Sequence, residues 1–484
     1  MNSVNLAYGV KDRPGLWKTL VFALQQVLAI LAATIAVPAI IGNGMSQSAA
    51  LFGAGVGTIV YLLFTKFKSP VFLGSSFAFI GSMFAAFGGA ASASVGYLGI
   101  IFGAVMAGLV YVVIAIVVKF VGTAWIDKVM PAAVIGPTVA IIGLSLSGNA
   151  IGDLFKGSYT VPVIDWSLVA ESELTGFELS AVLMPDSGMY YVSNQIFVPT
   201  ASTWLCLLCG LVTLATVIVC SVYGKKMMKM IPFILGILAG YVLAAIFTAI
   251  GHIADADALK IINFSLFANM QWVPDFTFIE AFKGFESITG AYIGTIAVAY
   301  VPVAFVVFAE HLADHKNISS IIGTDLTKDP GLHRTLLGDG VGSMVGAFFG
   351  GCPNTTYGES VGCVAISGNA SVVTILTAAC MCIVSSFFAP FVTLLATIPS
   401  CVMGGVCVSL YGFIAVSGLK MIQKVDLNDN KNLFVVSVIL IAGVGGMVLN
   451  IGKVTITSIA CALILGILAN VLCNIKCKKD ADKE

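Results

Sequence analysis

The sequence predicts an all-α polytopic membrane protein with 14 transmembrane segments in two inverted seven-segment repeats. Composition is the first observation: 58% of the 484 residues are hydrophobic and 10% are charged, against about 25% charged in soluble domains, with a mean hydropathy of +1.02. A water-soluble globule cannot hide that much apolar surface. The second is the spacing of charges, which leaves windows long enough for the ~20 apolar residues of a membrane helix. The third is an echo between the two halves of the chain. Lys plus Arg and Asp plus Glu number 24 each, so no net field favours nucleic acid or an acidic partner.

Residues 19–65 hold segments 1 and 2, broken at 42–47, and residues 69–118 hold segments 3 and 4, broken around 88–94. Segment 5 covers 129–152. A polar stretch to residue 200 follows, with Asp153, Asp165, Glu171, Glu173, Glu178 and Asp186 against Lys156 alone. Segments 6 and 7 lie near 203–223 and 230–250, a mixed loop runs to 286, and segment 8 is expected over 287–309. Segments 9 and 10 are short, at 341–349 and 354–367, and 371–396, 401–418, 432–452 and 454–475 complete the set.

Lys11, Asp12, Arg13 and Lys18 lead into an apolar run too long for a signal peptide, so that run is expected to be the first span. Cytoplasmic loops collect Lys and Arg. With the N-terminus inside, only Lys156, Lys260, Lys283 and Lys453 of the 24 basic residues fall outside. A shift of one span would put Lys225, Lys226 and Lys229 on the wrong side, and an even count brings Lys476, Lys478 and Lys479 inside as well, so both termini are expected to be cytoplasmic. All twelve cysteines lie at or beyond Cys206, mostly in apolar runs, where Cys behaves as a small hydrophobe. The CxxC at Cys206 and Cys209 sits inside a span without accompanying ligands, and no disulfide framework is expected.

PAAVIG at 131–136 opens segment 5, and PSCVMG at 399–404 opens segment 12. An offset of seven is odd, so the two run in opposite directions, as in the inverted repeats of secondary transporters. Segments 3 and 10, with GSSFAF at 74–79 and NTTYGE at 354–359, are also seven apart, and both are short and interrupted by Gly and polar residues. Paired interrupted segments point to the binding site.

GGCPNTTYGESVG at 350–362 contains Glu359, the only charge between Asp339 and Lys420. Gly350, Gly351, Pro353 and Gly358 oppose a regular helix. Irregular backbone at membrane depth persists only where it is buried in protein or lines a cavity. An ionisable residue there is a functional candidate, and its plainer reading is an acceptor for the N–H groups of the broken helix. Segment 8 ends in FAEHLADH at 308–315, where Glu310 and Asp314 share one helical face and His311 and His315 the neighbouring one. Three readings stay open: a metal site built on two histidines and a carboxylate, though no further His or Cys cluster accompanies it; a solvated helix end at the cytoplasmic surface; or a substrate and proton site at Glu310. Two carboxylates in one cavity cannot both stay charged cheaply, so one can exchange a proton near neutral pH. Phe77, beside Ser75 and Ser76, is either core packing or a plate for a planar ligand.

PNTTYGESVG at 353–362, preceded by DPGLHRTLLGDGVGSMVGAFFGG, resembles the uracil permease branch of the nucleobase–ascorbate transporter (nucleobase:cation symporter-2) family. LGSSFAFI at 73–80 and AEH at 309–311 are similar to the same branch, and the resemblance spans most of the chain. It implies that segments 3 and 10 each carry a short β-strand leading into a half-helix. It also implies a core domain of residues 15–122 (segments 1–4) and 286–397 (segments 8–11), a gate domain of 123–285 (segments 5–7, with the outside loop 153–200) and 398–476 (segments 12–14), and cytoplasmic tails at 1–14 and 477–484. Carried over by motif, Glu310 and Glu359 match the two carboxylates that bind the pyrimidine, and Phe77, Tyr357 and Gly358 match its neighbours. In that reading the carboxylates accept ring N–H groups, backbone N–H groups near 357–359 donate to carbonyl oxygens, Phe77 stacks, and Tyr411 in SLYG helps close the gate. Two positions depart from the pattern. Asp314 stands one turn after Glu310, where relatives often have histidine, with His315 about 100° further round; Gln25-Gln26 stand where many relatives have Gln-His.

The expectation is a proton-coupled uracil importer of the bacterial inner (plasma) membrane, working by alternating access, with no enzymatic activity and no cofactor or metal. Protons would be exchanged at Glu310, Asp314 and Glu359, and the resemblance implies a homodimer through the gate domains. A xanthine or other purine carrier of the same family is the alternative. A membrane-embedded metalloenzyme using Glu310, His311, Asp314 and His315 is the alternative of a different class. A channel fits less well, because paired interrupted spans suggest a closed midplane site.

Overall fold

The computed structural model describes residues 6–122, 125–170, 182–183, 189–225, 228–229, 231–451 and 454–474. Glu171, Glu173, Glu178, Asp186, Lys226, Lys453, Lys476, Lys478 and Lys479, used above for the acidic loop and the orientation, lie outside the described residues.

Fourteen principal helices follow one another: α1 (Leu16–Ile41), α2 (Gln47–Phe64), α3 (Ile80–Gly88), α4 (Ala93–Val121), α5 (Ala132–Ser145), α6 (Thr203–Tyr223), α7 (Pro232–Ile253), α8 (Gly290–Ile322), α9 (Leu332–Gly350), α10 (Gly358–Ser367), α11 (Val372–Ser386), α12 (Ser400–Ile422), α13 (Asn430–Val444) and α14 (Ser458–Cys473). They match the expected segments in order. Among the described residues eight are long and apolar enough to cross a membrane by themselves, with α5 continued to Asp153, and α11 joins Ala389–Ala396 across an 84° bend. The chain is therefore a multi-pass membrane protein. Some helix starts carry side-chain caps: Ser46, Ser92 and Thr289 accept from the N–H groups of Ala49, Val95 and Tyr292.

Of the boundaries that differ from expectation, two bear on the site. Segment 8 does not end at Ala309 but continues as α8 to Ile322, and His311, Asp314 and His315, which hydropathy reads as a polar terminus, are buried within it. Segment 9 begins at Leu332 rather than residue 341, because Asp339 is buried and does not interrupt the helix. The acidic loop contains strands β2 (Thr160–Ala170), β3 (Val182–Leu183) and β4 (Met189–Pro199), paired in the order β2-β4-β3. A hairpin of β6 (Leu449–Ile451) and β7 (Val454–Ile456) joins α13 to α14 and packs on α8.

Segments 3 and 10 contain the expected strands. β1 (Leu73–Ser75) pairs antiparallel with β5 (Asn354–Thr356), with Gly74 opposite Thr355 at the centre. A two-stranded ribbon leaves its outer edges unpaired, which is costly at membrane depth. Here Thr58 Oγ1 accepts from the Leu73 N–H at 2.9 Å, Ser360 Oγ accepts from the Phe72 N–H at 3.2 Å, and the Tyr357 N–H donates to the Phe72 carbonyl at 3.2 Å. Asn354 Nδ2 donates to the Gly53 carbonyl at 3.0 Å and ties the ribbon to α2.

α2 packs against α9 and α11, α4 against α8 and α9, and α1 against α11. α12 packs against α5 and α6, α6 against α7, and α13 against α14 and α5. The α2–α9 seam is backbone against backbone: a Cβ on Gly53 would stand 2.6 Å from the Gly346 carbonyl oxygen, one on Gly57 2.8 Å from that of Gly342, and one on Gly350 2.6 Å from that of Ala49. Small residues four apart let membrane helices approach this closely. Gly53→Val is therefore expected to cost about 1–3 kcal/mol or more by overpacking, seen as a lower thermal unfolding midpoint in detergent. Gly148→Ala, at a position with open space around it, should leave the midpoint unchanged, and equal behaviour of the two variants would contradict the seam.

Candidate functional site

The ribbon fixes where two half-helices begin. After β1 a short 3-10 turn, Phe77–Phe79, runs into α3, and after β5 Tyr357 caps α10. Both helix N-termini thus start at the ribbon, and their first N–H groups lack intrahelical acceptors and carry the positive end of the helix dipole. Gly358, which has no side chain of its own, lines the cavity at the start of α10. The Tyr357 hydroxyl donates to the Ser75 carbonyl at 2.7 Å, so its ring braces one half-helix against the other strand. The ring lies over Gly74, where a Cβ would meet its Cζ at 2.5 Å.

A cavity of about 440 Å³ opens beside α10. Glu310 and Asp314 of α8 and Gly358 and Glu359 of α10 line it together, with Phe413 and Ser417 of α12 on the opposite wall. Asp314 is 8% exposed, and its Oδ2 accepts from the Thr356 hydroxyl at 2.9 Å. At the rim Asn317, Lys229 and Ser417 are exposed. The cavity thus gathers three carboxylates around a helix N-terminus and reaches the surface at one end.

Of the residues singled out from sequence, Glu310, Asp314, Gly358 and Glu359 share this cavity, while Phe77, Tyr357 and Tyr411 do not line it. Phe77 is buried and meets Tyr411 edge to face, with ring centroids 5.6 Å apart. That pair joins the start of α3 to the middle of α12. Gln26 Nε2 donates to the Ser360 carbonyl at 3.3 Å, tying α1 to the first turn of α10.

The histidines of segment 8 face away from the cavity. His311 Nδ1 lies 2.7 Å from Asp339 Oδ2 and its Nε2 3.0 Å from Thr335 Oγ1, both on α9. His315 Nδ1 donates to the His311 carbonyl at 2.8 Å, which leaves Nε2 to accept from the Tyr61 hydroxyl of α2 at 2.7 Å. Ser69 Oγ in turn lies 2.7 Å from that hydroxyl. Every ring nitrogen has a protein partner, so the two imidazoles are not presented to a metal. Nor is the cluster a solvated helix end, since His311 and His315 are fully buried.

Sequence reasoning missed Asp339, Tyr61 and Thr335, which hold α8 in rotation, and the wall supplied by Lys229, Phe413 and Ser417. The signal for Asp339 was present: a single charge flanked by Gly338 and Gly340 in an apolar segment, the same property that drew attention to Glu359. The wall has no comparable signal.

The chain matches the Permease family over residues 17–184 and 172–452. It is 36% identical over 470 residues to the uracil permease of Bacillus caldolyticus, covering 96% of this chain and 94% of that protein. Against the uracil permease of Bacillus subtilis (strain 168) it is 34% identical over 479 residues, 98% and 96% of the two chains. Against the uracil permease of Escherichia coli (strain K12) it is 34% identical over 463 residues, 95% and 92%. Among solved structures, it is similar to the transmembrane domain of a cyanobacterium bicarbonate transporter BicA, with a TM-score of 0.61 at 17% identity over 95% of this chain and 99% of that one. Murine Solute Carrier 26 family member A9, an anion transporter in the inward-facing state, gives a TM-score of 0.58 at 13% identity over 96% and 69%. At those identities the structural likeness concerns the fold alone. The sequence matches extend over nearly the whole length of both partners, and on them the chain belongs to the Permease family, as a membrane transporter and not an enzyme.

Proposed function

We propose that this transporter takes up uracil together with protons by alternating access across the bacterial inner membrane. The observation that carries the reading is the convergence of Glu310, Asp314 and Glu359 on one cavity at the start of α10; the relatives named uracil permease support the choice of substrate. Uracil offers two ring N–H donors and two carbonyl acceptors. Glu310 and Glu359 accept the former, and backbone N–H groups at the start of α10 donate to the latter. Each carboxylate contact is worth about 1.5–3 kcal/mol in a dry site.

Lys229 lies at the cavity rim, and Lys225, Lys316, Lys420 and Lys424 are near in sequence to the lining residues Lys229, Asn317 and Met421; the positive-inside rule assigns such a basic side to the cytoplasm together with both termini. In this reading the conformation is inward-open, and the Phe77–Tyr411 contact is the outer barrier. The core domain (residues 15–122 and 286–397) moves against the gate domain (123–285 and 398–476), and two copies associate through the gate domains. Proton entry at Glu310, shared with Asp314, neutralises the acidic site and favours the loaded closed state, while proton loss inside releases the base. A proton moving with the field supplies about 2.3 kcal/mol per 100 mV.

Four outcomes follow in proteoliposomes. Labelled uracil should accumulate with an inward proton gradient and only equilibrate without one; accumulation that ignores the gradient would exclude symport. Glu359→Gln should weaken uracil binding by roughly tenfold or more, whereas Glu310→Gln should retain uracil exchange but lose gradient-driven accumulation. Tyr411→Ala should open the outer barrier, measured as faster uracil efflux under zero gradient, and unchanged efflux would remove Tyr411 from the gate.

A further inference from the structure

We infer that the ends of α2, α4 and α9 form a headgroup site for an anionic phospholipid, separate from the transport cavity. Three helix ends meet there: α2 stops at Phe64, α4 stops at Val121, and α9 starts at Leu332. Between them lies a groove of about 300 Å³. Lys119 of α4 and His333 and Arg334 of α9 line it, and no acidic side chain does so among the described residues. None of these three forms an ion pair among the described residues, whereas Lys68, just beyond α2, is neutralised by Asp329 at 2.6 Å. Arg334 Nη1 donates to the Phe64 carbonyl at 3.4 Å, which leaves its other N–H bonds for a further acceptor. Lys119 is exposed, its Nζ 5.5 Å from the centroid of the Phe120 ring. The groove thus collects two cations and an imidazole with no counter-charge, and an anion completes it.

Charge alone would suit any soluble anion, but the remaining walls are apolar. Ile116 and Phe120 of α4 and Leu337 of α9 flank the basic groups. On α4, Leu109, Val113, Ile116 and Phe120 recur at helical spacing and are 53%, 59%, 50% and 78% exposed. α4 is long and apolar enough to cross a membrane, so this bare stripe faces acyl chains. It leads from the middle of the helix straight to the groove. A phosphodiester held by Lys119, His333 and Arg334 has its acyl chains laid along that stripe, which a free anion would leave unused. Basic pockets between membrane helices on the cytoplasmic side hold anionic headgroups in this way, and the orientation proposed above places the groove at the inner leaflet.

The test is lipid retention by the purified, delipidated full-length protein, read by native mass spectrometry. The probes are phosphatidylglycerol and phosphatidylcholine with identical acyl chains. Wild type should retain one phosphatidylglycerol roughly tenfold more tightly than phosphatidylcholine. Lys119→Glu, which reverses a charge that no ion pair holds, should abolish the preference, and Arg334→Gln should reduce it roughly fivefold. Lys119→Glu decides the matter if Arg334→Gln does not fold, because Arg334 also caps α2. Lys431→Glu makes the same charge change at an exposed position at the start of α13 and should leave the preference intact. Equal retention of the two lipids, a preference that survives Lys119→Glu, or an equal loss in Lys431→Glu would overturn the inference. Displacement of the lipid by an equal concentration of inorganic phosphate would overturn it in favour of a soluble anion, and a dimer that disappears in Lys119→Glu would overturn it in favour of a second copy of the chain.

Discussion

Backbone hydrogen bonding at membrane depth is the constraint on which the rest depends. A continuous helix satisfies its own N–H and C=O groups, but segments 3 and 10 are broken beside the cavity, and lipid offers no replacement partners. The β1–β5 ribbon solves most of this by letting the two breaks satisfy each other. Hydroxyls meet part of what it leaves over: Thr58 on the outer edge of β1 and Ser360 at the Phe72 N–H just before it. The first N–H groups of each half-helix have no intrahelical acceptor, and the start of α10 lines a cavity with three carboxylates. The same break that is expensive for folding therefore supplies the donors and the positive helix ends that recognition needs.

The rotation of α8 is the second requirement, because its two polar faces lie only 100° apart. One face presents Glu310 and Asp314 to the cavity; the other carries His311 and His315. Nothing in the apolar surface of the helix distinguishes them strongly. The distinction comes from Asp339 and Thr335 on α9 and Tyr61 on α2, which engage both imidazoles within the protein. Buried polar groups of this kind are costly unless fully paired, so a slip of one residue would leave the histidines unsatisfied and turn Glu310 away from the cavity. The histidines thus contribute by aiming the carboxylates.

Much of this was legible in the sequence because charges are so sparse. The order of the segments and the pairing of segments 3 with 10 and 5 with 12 follow from windows and echoes that few other patterns could produce. The short strands were different: nothing in GSS or NTT has the alternation of a strand, and only the family resemblance led to them. Segment 8 was read as ending at Ala309 because hydropathy counts His311, Asp314 and His315 as solvated, whereas each has its partner on another segment. Those partnerships join residues 28, 42 and 254 positions apart, so no local pattern could announce them. The wall formed by Phe413 and Ser417 was illegible for a simpler reason: in a membrane protein a Phe and a Ser facing a cavity look like any others facing lipid or a neighbouring helix.

Close backbone contacts join several pairs of segments seven apart. α2 meets α9 through Gly53, Gly57, Gly342 and Gly346; β1 meets β5; and α5 meets α12, where a Cβ on Gly418 would lie 2.5 Å from the Gly136 carbonyl oxygen and one on Gly143 2.7 Å from the Ala415 nitrogen. In an inverted repeat, corresponding segments meet at the pseudo-two-fold axis, and each of these contacts joins such a pair. Glycine seams of this kind resist sliding, since interlocked backbones have no side chains to repack. Motion is therefore cheapest where the seams are absent, between the α2–α9 group and the α5–α12 group. The carboxylates of α8 and α10 face α12 across that boundary, and the Phe77–Tyr411 contact bridges it on the side away from the rim. On the proposed reading, a base held there would be gripped by one seam-locked body and covered by the other, so that exposing it to either side would rearrange side-chain contacts such as Phe77–Tyr411 without breaking either seam.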